Sequence, residues 1–279
     1  MSTSILTVPV HKLAHDARMD VSRIATGAAE EQDLVAVEEP LQISIGRRDL
    51  AITMRTPGQD AELAAGFVFT EGILRPGDIA RISCARNVAA ITLAPGAEFD
   101  ESLLQRNFYI TSSCGVCGKT AVESLDAAGC TILPRESARV SESVIRSLPE
   151  KLRQFQYLFQ RTGGIHACGL FNADGELVLV REEVGRHNAV DKIVGRAFLD
   201  GALPLSDHVM LVSGRASFEL VQKSVMAGIP VLAAVGASSS LAVKTALRFG
   251  MTLIGFLRED RFNVYTAPSR LNCFWNANR

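Results

Sequence analysis

Three short runs of branched apolar residues alternate with two helix-period segments between residues 208 and 260. The runs are "HVMLVSGR" (208–215), "IPVLAAVG" (229–236) and "MTLIGFLRED" (251–260). The segments between them, "SFELVQKSVMAG" and "SSLAVKTALRFG", carry apolar residues at three- and four-residue spacing and end on glycine. This order leaves few folds open. Parallel strands need a crossover, and a helical crossover packs back onto its sheet in a right-handed sense. Strands apolar on both faces are covered on both faces. Residues 141–279 therefore read as a layered α/β unit with a mostly parallel sheet.

Upstream, the patterns change. Residues 1–30 are polar and weakly patterned and read as a mobile extension. "LVAVEEPLQISIGRRDLAITMRT" alternates and turns at Gly46-Arg47, a hairpin signal. "DAELAAGFVFTEGIL" has helical spacing, with Asp60 placed to cap it. "ARISCAR" and "AAITLAP" add two short strands. Residues 31–108 thus form a smaller α+β domain. Residues 109–140 are a glycine-rich connection. In the larger unit, "SESVIRSLPEKLRQFQYLFQRTGG" is helical, interrupted at Pro149 and stopped at Gly163-Gly164. "IHACGLFNADGELVLVREE" is a hairpin turning at Asp174-Gly175. There is no internal repeat and no low-complexity run.

Open α/β sheets collect ligands outside the carboxyl ends of their strands. Here those ends are Ser213-Gly214-Arg215, Gly236-Ala237-Ser238 and Arg258-Glu259-Asp260-Arg261. Two lead into helix N-termini, whose free N–H groups favour anions. Arg215, Arg258 and Arg261 add charge suited to phosphate. A phosphorylated, nucleotide-like ligand is one reading of these ends; plain βα loops are the other. His166, at a strand start after a double glycine, is either a ligand contact or a core histidine.

The chain carries a formal net charge of −1, which argues against a general nucleic-acid or membrane-surface binder. No apolar run reaches the roughly 18 residues a bilayer span needs, and the N-terminus lacks a signal-peptide pattern. The six cysteines are scattered except for Cys114 and Cys117 in "ITSSCGVCGKT". That usage fits a reduced, cytoplasmic protein whose pair has a specific task.

One C-x-x-C supplies two of the four ligands of structural zinc, and no second pair follows, so no intrinsic metal is expected. "GKT" fails as a P-loop, because Ser113 stands where its first glycine belongs. "IHAC" has Cys168 where a deaminase places its glutamate. Redox exchange stays open, since "GKTAVESL" can form a helix after the pair. A persulfide carrier also fits: an exposed thiolate near Lys119 can accept sulfur, and a second cysteine can release it by forming a disulfide. In "REEVGRHNAVDK", Glu183, His187 and Asp191 fall on one face if the run is helical. That face is either a metal or acid/base site or a hydrogen-bond network at a helix start.

Five stretches taken together resemble one family: "TSSCGVCGK", "TGGIHACGL", "REEVGRHNAVDKIVG", "SGRASFELVQKSVMAGIP" and "IGFLREDRFNVYT". They are similar to FdhD, the formate dehydrogenase accessory sulfurtransferase family, from about residue 35 to 270. The resemblance implies a cytoplasmic, homodimeric sulfur carrier with a cytidine-deaminase-like larger domain. It implies a cysteine desulfurase as donor, the Mo/W bis(molybdopterin guanine dinucleotide) cofactor as bound substrate, and formate dehydrogenase as client. By position, Cys114 carries the persulfide with Cys117 as partner. Phe256, Leu257, Arg258, Glu259, Asp260 and Arg261 match the cofactor-binding stretch, joined by Arg215, Ser238 and His166 at the same strand ends. Two departures stand out: Glu183 in place of an expected aspartate, and acid between Arg258 and Arg261. Two other functions remain to be separated from this one, a cofactor-binding chaperone without a sulfur relay and a thiol–disulfide oxidoreductase.

Overall fold

A computed structural model of the chain describes residues 4–11, 30–100 and 130–272. Strands β1 (Ile5–His11) and β2 (Glu30–Ala36) pair antiparallel as a separate ribbon. Residues 5–11 are therefore a strand and not part of an extension. β-branched residues at Ile5, Thr7 and Val8 suit this, and Pro9 is tolerated because the strand is at an edge.

Strands β3 (Glu39–Ile45), β4 (Arg48–Arg55), β5 (Ile79–Ala85) and β6 (Val88–Leu93) form a four-stranded sheet in the order β4-β3-β6-β5. The β3–β4 hairpin turns at Gly46, which takes φ 56. Alternation sends Leu41, Ile43 and Ile45 inward, against Leu63, Ala64 and Val68 of α1 (Asp60–Thr70). Asp60 does not cap this helix. Its carboxylate pairs instead with the buried Arg55, Nε to Oδ1 2.9 Å.

Helix α2 (Glu142–Arg153) starts at Ser141, whose hydroxyl accepts the Val144 N–H at 3.2 Å. It runs through Pro149 without interruption. An interior proline costs roughly 3 kcal/mol. Burying Ile145, Leu148 and Leu152 against the sheet returns roughly 1.5–3 kcal/mol each, so the helix persists. The break falls after Arg153, before α3 (Tyr157–Thr162).

The largest sheet contains β7 (His166–Asn172), β8 (Leu177–Glu183), β9 (His208–Val212), β10 (Val231–Ala234), β11 (Thr252–Gly255) and β12 (Asn263–Thr266), in the order β12-β11-β10-β9-β7-β8. Only β9–β10 and β10–β11 are parallel. The β7–β8, β7–β9 and β11–β12 pairings are antiparallel, so the sheet is mixed and not mostly parallel. Short returns at Asp174-Gly175 and at 256–262 impose hairpins, while only the two helical crossovers allow parallel pairing.

Alternation divides the core. Met210, Val212, Leu232, Ala234 and Leu253 face α4 (Arg186–Leu199), α5 (Phe218–Met226) and α6 (Ser240–Phe249). Val209, Leu211, Val231, Ala233 and Ile254 face α2 with Leu257 and Leu271.

The smaller unit is joined to this sheet by backbone contact. A Cβ on Gly66 of α1 would lie 1.9 Å from the Asp191 carbonyl oxygen, and one on Gly195 of α4 would lie 1.8 Å from that of Glu62. Only glycine lets the two helices approach so closely. Beside this crossing, Arg181 forks onto Glu62 at 2.7 and 2.8 Å.

Candidate functional site

The three parallel strands stay laddered beyond their last paired residues. Gly236 N–H donates to the Gly214 carbonyl at 2.8 Å, Ala216 N–H to that of Ala237 at 3.0 Å, and Phe256 N–H to that of Gly236 at 2.9 Å. Arg215, Ser238 and Phe256 therefore sit at adjacent strand ends. His166 joins them because β7 runs antiparallel to β9, and its ring Nδ1 lies 3.4 Å from where a Gly214 Cβ would be. Cys114 and Cys117 lie outside the described residues.

Arg258 and Arg261 flank a two-residue tip, Glu259-Asp260. The tip is closed by the Arg258 N–H donating to the Arg261 carbonyl at 2.8 Å. Period-two alternation puts Phe256 and Arg258 on one arm, and Arg261 and Asn263 on the other, toward the same side. These four line a shallow pocket of about 180 Å³. Leu257 and Phe262 take the opposite side and pack in the core. Leu257 is fully buried, so its side chain is not presented at this edge.

Among the described residues, Arg215, Arg258 and Arg261 enter no ion pair. Arg258 Nη1 donates to the Val235 and Leu257 carbonyls at 2.7 and 2.8 Å, which fixes the guanidinium at the end of β10. Cross-strand like charges repel, and an anion between them removes that cost. The Ser238 hydroxyl is buried without a hydrogen-bond partner, a state that a ligand can satisfy. Phe256 is exposed and takes φ 53, a left-handed value uncommon outside glycine. Burial and the charge of Arg186 hold the His166 pKa below the ordinary histidine value. At neutral pH the ring is thus mainly an uncharged hydrogen-bonding group.

His187, singled out in the sequence, lies beside this edge, but with partners missed in the sequence, Ser217 and Glu219. His187 Nε2 is 3.2 Å from the Ser217 hydroxyl and 3.7 Å from Glu219 Oε2, where the N-termini of α4 and α5 meet. Burial, then Arg186 and Lys223, push its pKa down to about 4. Ser217 is 30 residues from His187, and no spacing in the sequence links them. The expected helical face of Glu183, His187 and Asp191 does not form, because Glu183 ends β8 and the helix starts at Arg186. Asp191 turns instead to Lys223 at 3.0 Å and the Thr70 hydroxyl at 2.8 Å. Among the described residues, no three His, Cys, Asp or Glu side chains converge as a metal site. Cys168 is buried in the core, whereas Cys84 is exposed on β5.

The family model described as FdhD/NarQ matches residues 36–272. The chain belongs to the FdhD/NarQ family. It is 51% identical over 267 residues to the sulfur carrier protein FdhD of Streptomyces avermitilis, covering 91% of this chain and 95% of that protein. The sulfur carrier protein FdhD of Sulfolobus acidocaldarius is 42% identical over 257 residues, covering 91% and 98%. A crystal structure of a proposed formate dehydrogenase accessory protein from Desulfotalea psychrophila superposes with a TM-score of 0.75. It is 25% identical, and the match covers 96% of this chain and 100% of that one. No helix among the described residues is long and apolar enough to cross a membrane.

Proposed function

We propose that this protein is a sulfur carrier that serves formate dehydrogenase maturation. In this reading a cysteine desulfurase loads Cys114 with sulfur, and the Mo/W bis(molybdopterin guanine dinucleotide) cofactor receives it. Loading is an exchange: the Cys114 thiolate attacks the outer sulfur of the donor's persulfide, a new S–S bond forms, and the donor cysteine leaves as a thiolate. For release, the Cys117 thiolate attacks the Cys114 sulfur, a disulfide forms, and hydrosulfide departs toward the metal. A dithiol reductant then restores both cysteines.

The observation that carries the proposal is the arginine-lined edge at 215, 238 and 256–263, on a chain half identical to proteins named as sulfur carriers. Unpaired Arg258 and Arg261 suit the diphosphates of a guanine dinucleotide. The exposed Phe256 ring suits stacking on a base. Acid at Glu259 and Asp260 can accept from guanine N–H groups. The neutral His166 and the unpartnered Ser238 hydroxyl complete a polar edge at the end of the sheet. The antiparallel hairpin leading a parallel trio under three helices supports a cytidine-deaminase-like larger domain. A homodimer working in the cytoplasm belongs to the same reading.

Intact mass of the full chain, after incubation with a cysteine desulfurase and cysteine, tests the carrier role. The expected result is one added sulfur on Cys114 that is lost under reductant. Disulfide cycling of the pair without sulfur gain would make the protein an oxidoreductase. GDP binding without sulfur gain would make it a cofactor chaperone.

A further inference from the structure

We propose that Arg146 is a positioning residue: from α2 it grips the Glu259-Asp260 tip from behind and so sets Arg258 and Arg261 side by side. This rests on the 256–261 stretch being the nucleotide-binding edge. Arg146 Nη1 donates to the Glu259 carbonyl at 3.3 Å. The guanidinium carbon lies 5.2 Å from the centre of the Phe262 ring. One turn earlier on the same helix, Glu142 accepts from Arg146 Nε at 2.9 Å and also from Nη2. The side chain is thus fixed by its own helix at one end and holds the hairpin at the other.

The hairpin has reason to splay. Its two arginines are cross-strand neighbours of like charge, and among the described residues the exposed Glu259 and Asp260 at the tip form no ion pair with either. The chain enters this return through Phe256 at φ 53, a conformation that costs free energy for a side-chain-bearing residue. Phe262 and Leu257 anchor the buried side of the hairpin, but neither holds the tip. Arg146 reaches it, and Glu142 takes up the Arg146 charge so that no third free cation is added behind the pair. An arginine is suited because its fork meets a carboxylate and a carbonyl while its flat face rests on an aromatic ring. A lysine offers only a point charge and can keep part of this.

Two measurements on the full chain test the role. In hydrogen–deuterium exchange without ligand, Arg146→Ala should speed exchange at the Arg258 amide about tenfold, through local opening. Arg146→Lys should fall between, and the β9 peptide should not change. In calorimetry with GDP, Arg146→Ala should weaken binding roughly three- to tenfold by lost preorganisation, with partial rescue in Arg146→Lys. The combined loss in Arg146→Ala with Arg258→Ala should be smaller than the product of the two single losses, because both act through one turn. Unchanged exchange at Arg258 overturns the proposal. So does faster exchange with unaltered GDP affinity, which reduces Arg146 to a structural contact. If the unaltered chain binds no GDP, the nucleotide edge itself falls and the positioning role falls with it. If it binds and only the Arg146 variants behave as wild type, the edge stands and this inference alone fails.

Discussion

Lys192 and Glu183 close on the backbone of a single residue, Thr56. Their charged atoms are 3.3 Å apart. Both Glu183 oxygens accept the Thr56 N–H, at 2.7 and 2.9 Å, while Lys192 Nζ donates to the Thr56 carbonyl at 3.0 Å. Both side chains are at most 1% exposed. A strand end of the smaller unit is thereby held between β8 and α4 of the larger one, next to the Gly66–Gly195 crossing.

Removing Lys192 should therefore destabilise the fold in a pH-dependent way. Burial pushes the Glu183 pKa up to about 7, even against the opposing pull of Lys192. A carboxyl raised in the folded state contributes its stability at low pH and loses it as pH rises from 4.5 through about 7. Above that window Glu183 is ionised and depends on its partner. Lys192→Met should cost about 3–5 kcal/mol at pH 8, the usual loss on breaking a buried pair. The cost should be clearly smaller at pH 5, where Glu183 holds its proton. Urea denaturation at both pH values measures this, and an equal loss at the two would show that Lys192 contributes packing alone.

Gly66→Ala and Gly195→Ala should each destabilise by roughly 3 kcal/mol or more, at the upper end of overpacking costs. The added methyl meets helix backbone, at 1.9 Å and 1.8 Å, which has no rotamer through which to yield. Gly164→Ala is the control. Its nearest neighbour would be 3.8 Å away, and it should change stability by no more than about 0.5 kcal/mol. Similar melting temperatures for all three variants would mean that α1 and α4 can separate at little cost.

The sequence signals that succeeded were local ones. Branched runs and helical spacing located β9, β10, β11, α5 and α6, and their order brought Arg215, Ser238 and Arg258 to one edge. Turn residues located the hairpins at Gly46 and Gly175. What stayed hidden depends on partners remote in sequence. Helical periodicity alone placed Glu183 with His187 and Asp191, but Gly185 starts the helix after Glu183 and leaves that carboxylate to bind Thr56, 127 residues away. Gly66 and Gly195 look like weak points within helices until the other helix is in view. Leu257 lies inside the expected binding stretch, yet strand alternation turns it into the core. Pro149 signalled a break because the apolar face that holds α2 together is defined by the sheet beneath it.

Cys114→Ala should abolish sulfur loading and formate dehydrogenase maturation while leaving the melting temperature within a few degrees of wild type. The glycines around Cys114 and Cys117 fit an accessible thiol that adds little packing energy. Mass spectrometry after desulfurase treatment, beside thermal unfolding, separates the outcomes. Parallel loss of loading and of fold would identify Cys114 as a structural residue.

Arg258→Ala and Arg261→Ala should each weaken GDP binding by roughly ten- to a hundredfold, since a charge-assisted arginine–phosphate contact is worth roughly 1.5–3 kcal/mol. Arg261 is the cleaner test. Arg258 also donates to the Val235 and Leu257 carbonyls, so its removal loosens the end of β10 as well as deleting charge. Arg258→Lys should keep part of the affinity, although a lysine lacks the planar fork that meets the carbonyls with one nitrogen and leaves the others for a bidentate phosphate contact. The affinity of the unaltered chain should fall with added salt, and less steeply in either alanine variant, because each removes one screened charge. Sulfur loading on Cys114 should be the same in all of these variants, as loading and nucleotide binding use different parts of the chain. Unchanged GDP affinity in both alanine variants would remove the nucleotide from this edge and leave the carrier role to stand on the mass measurement.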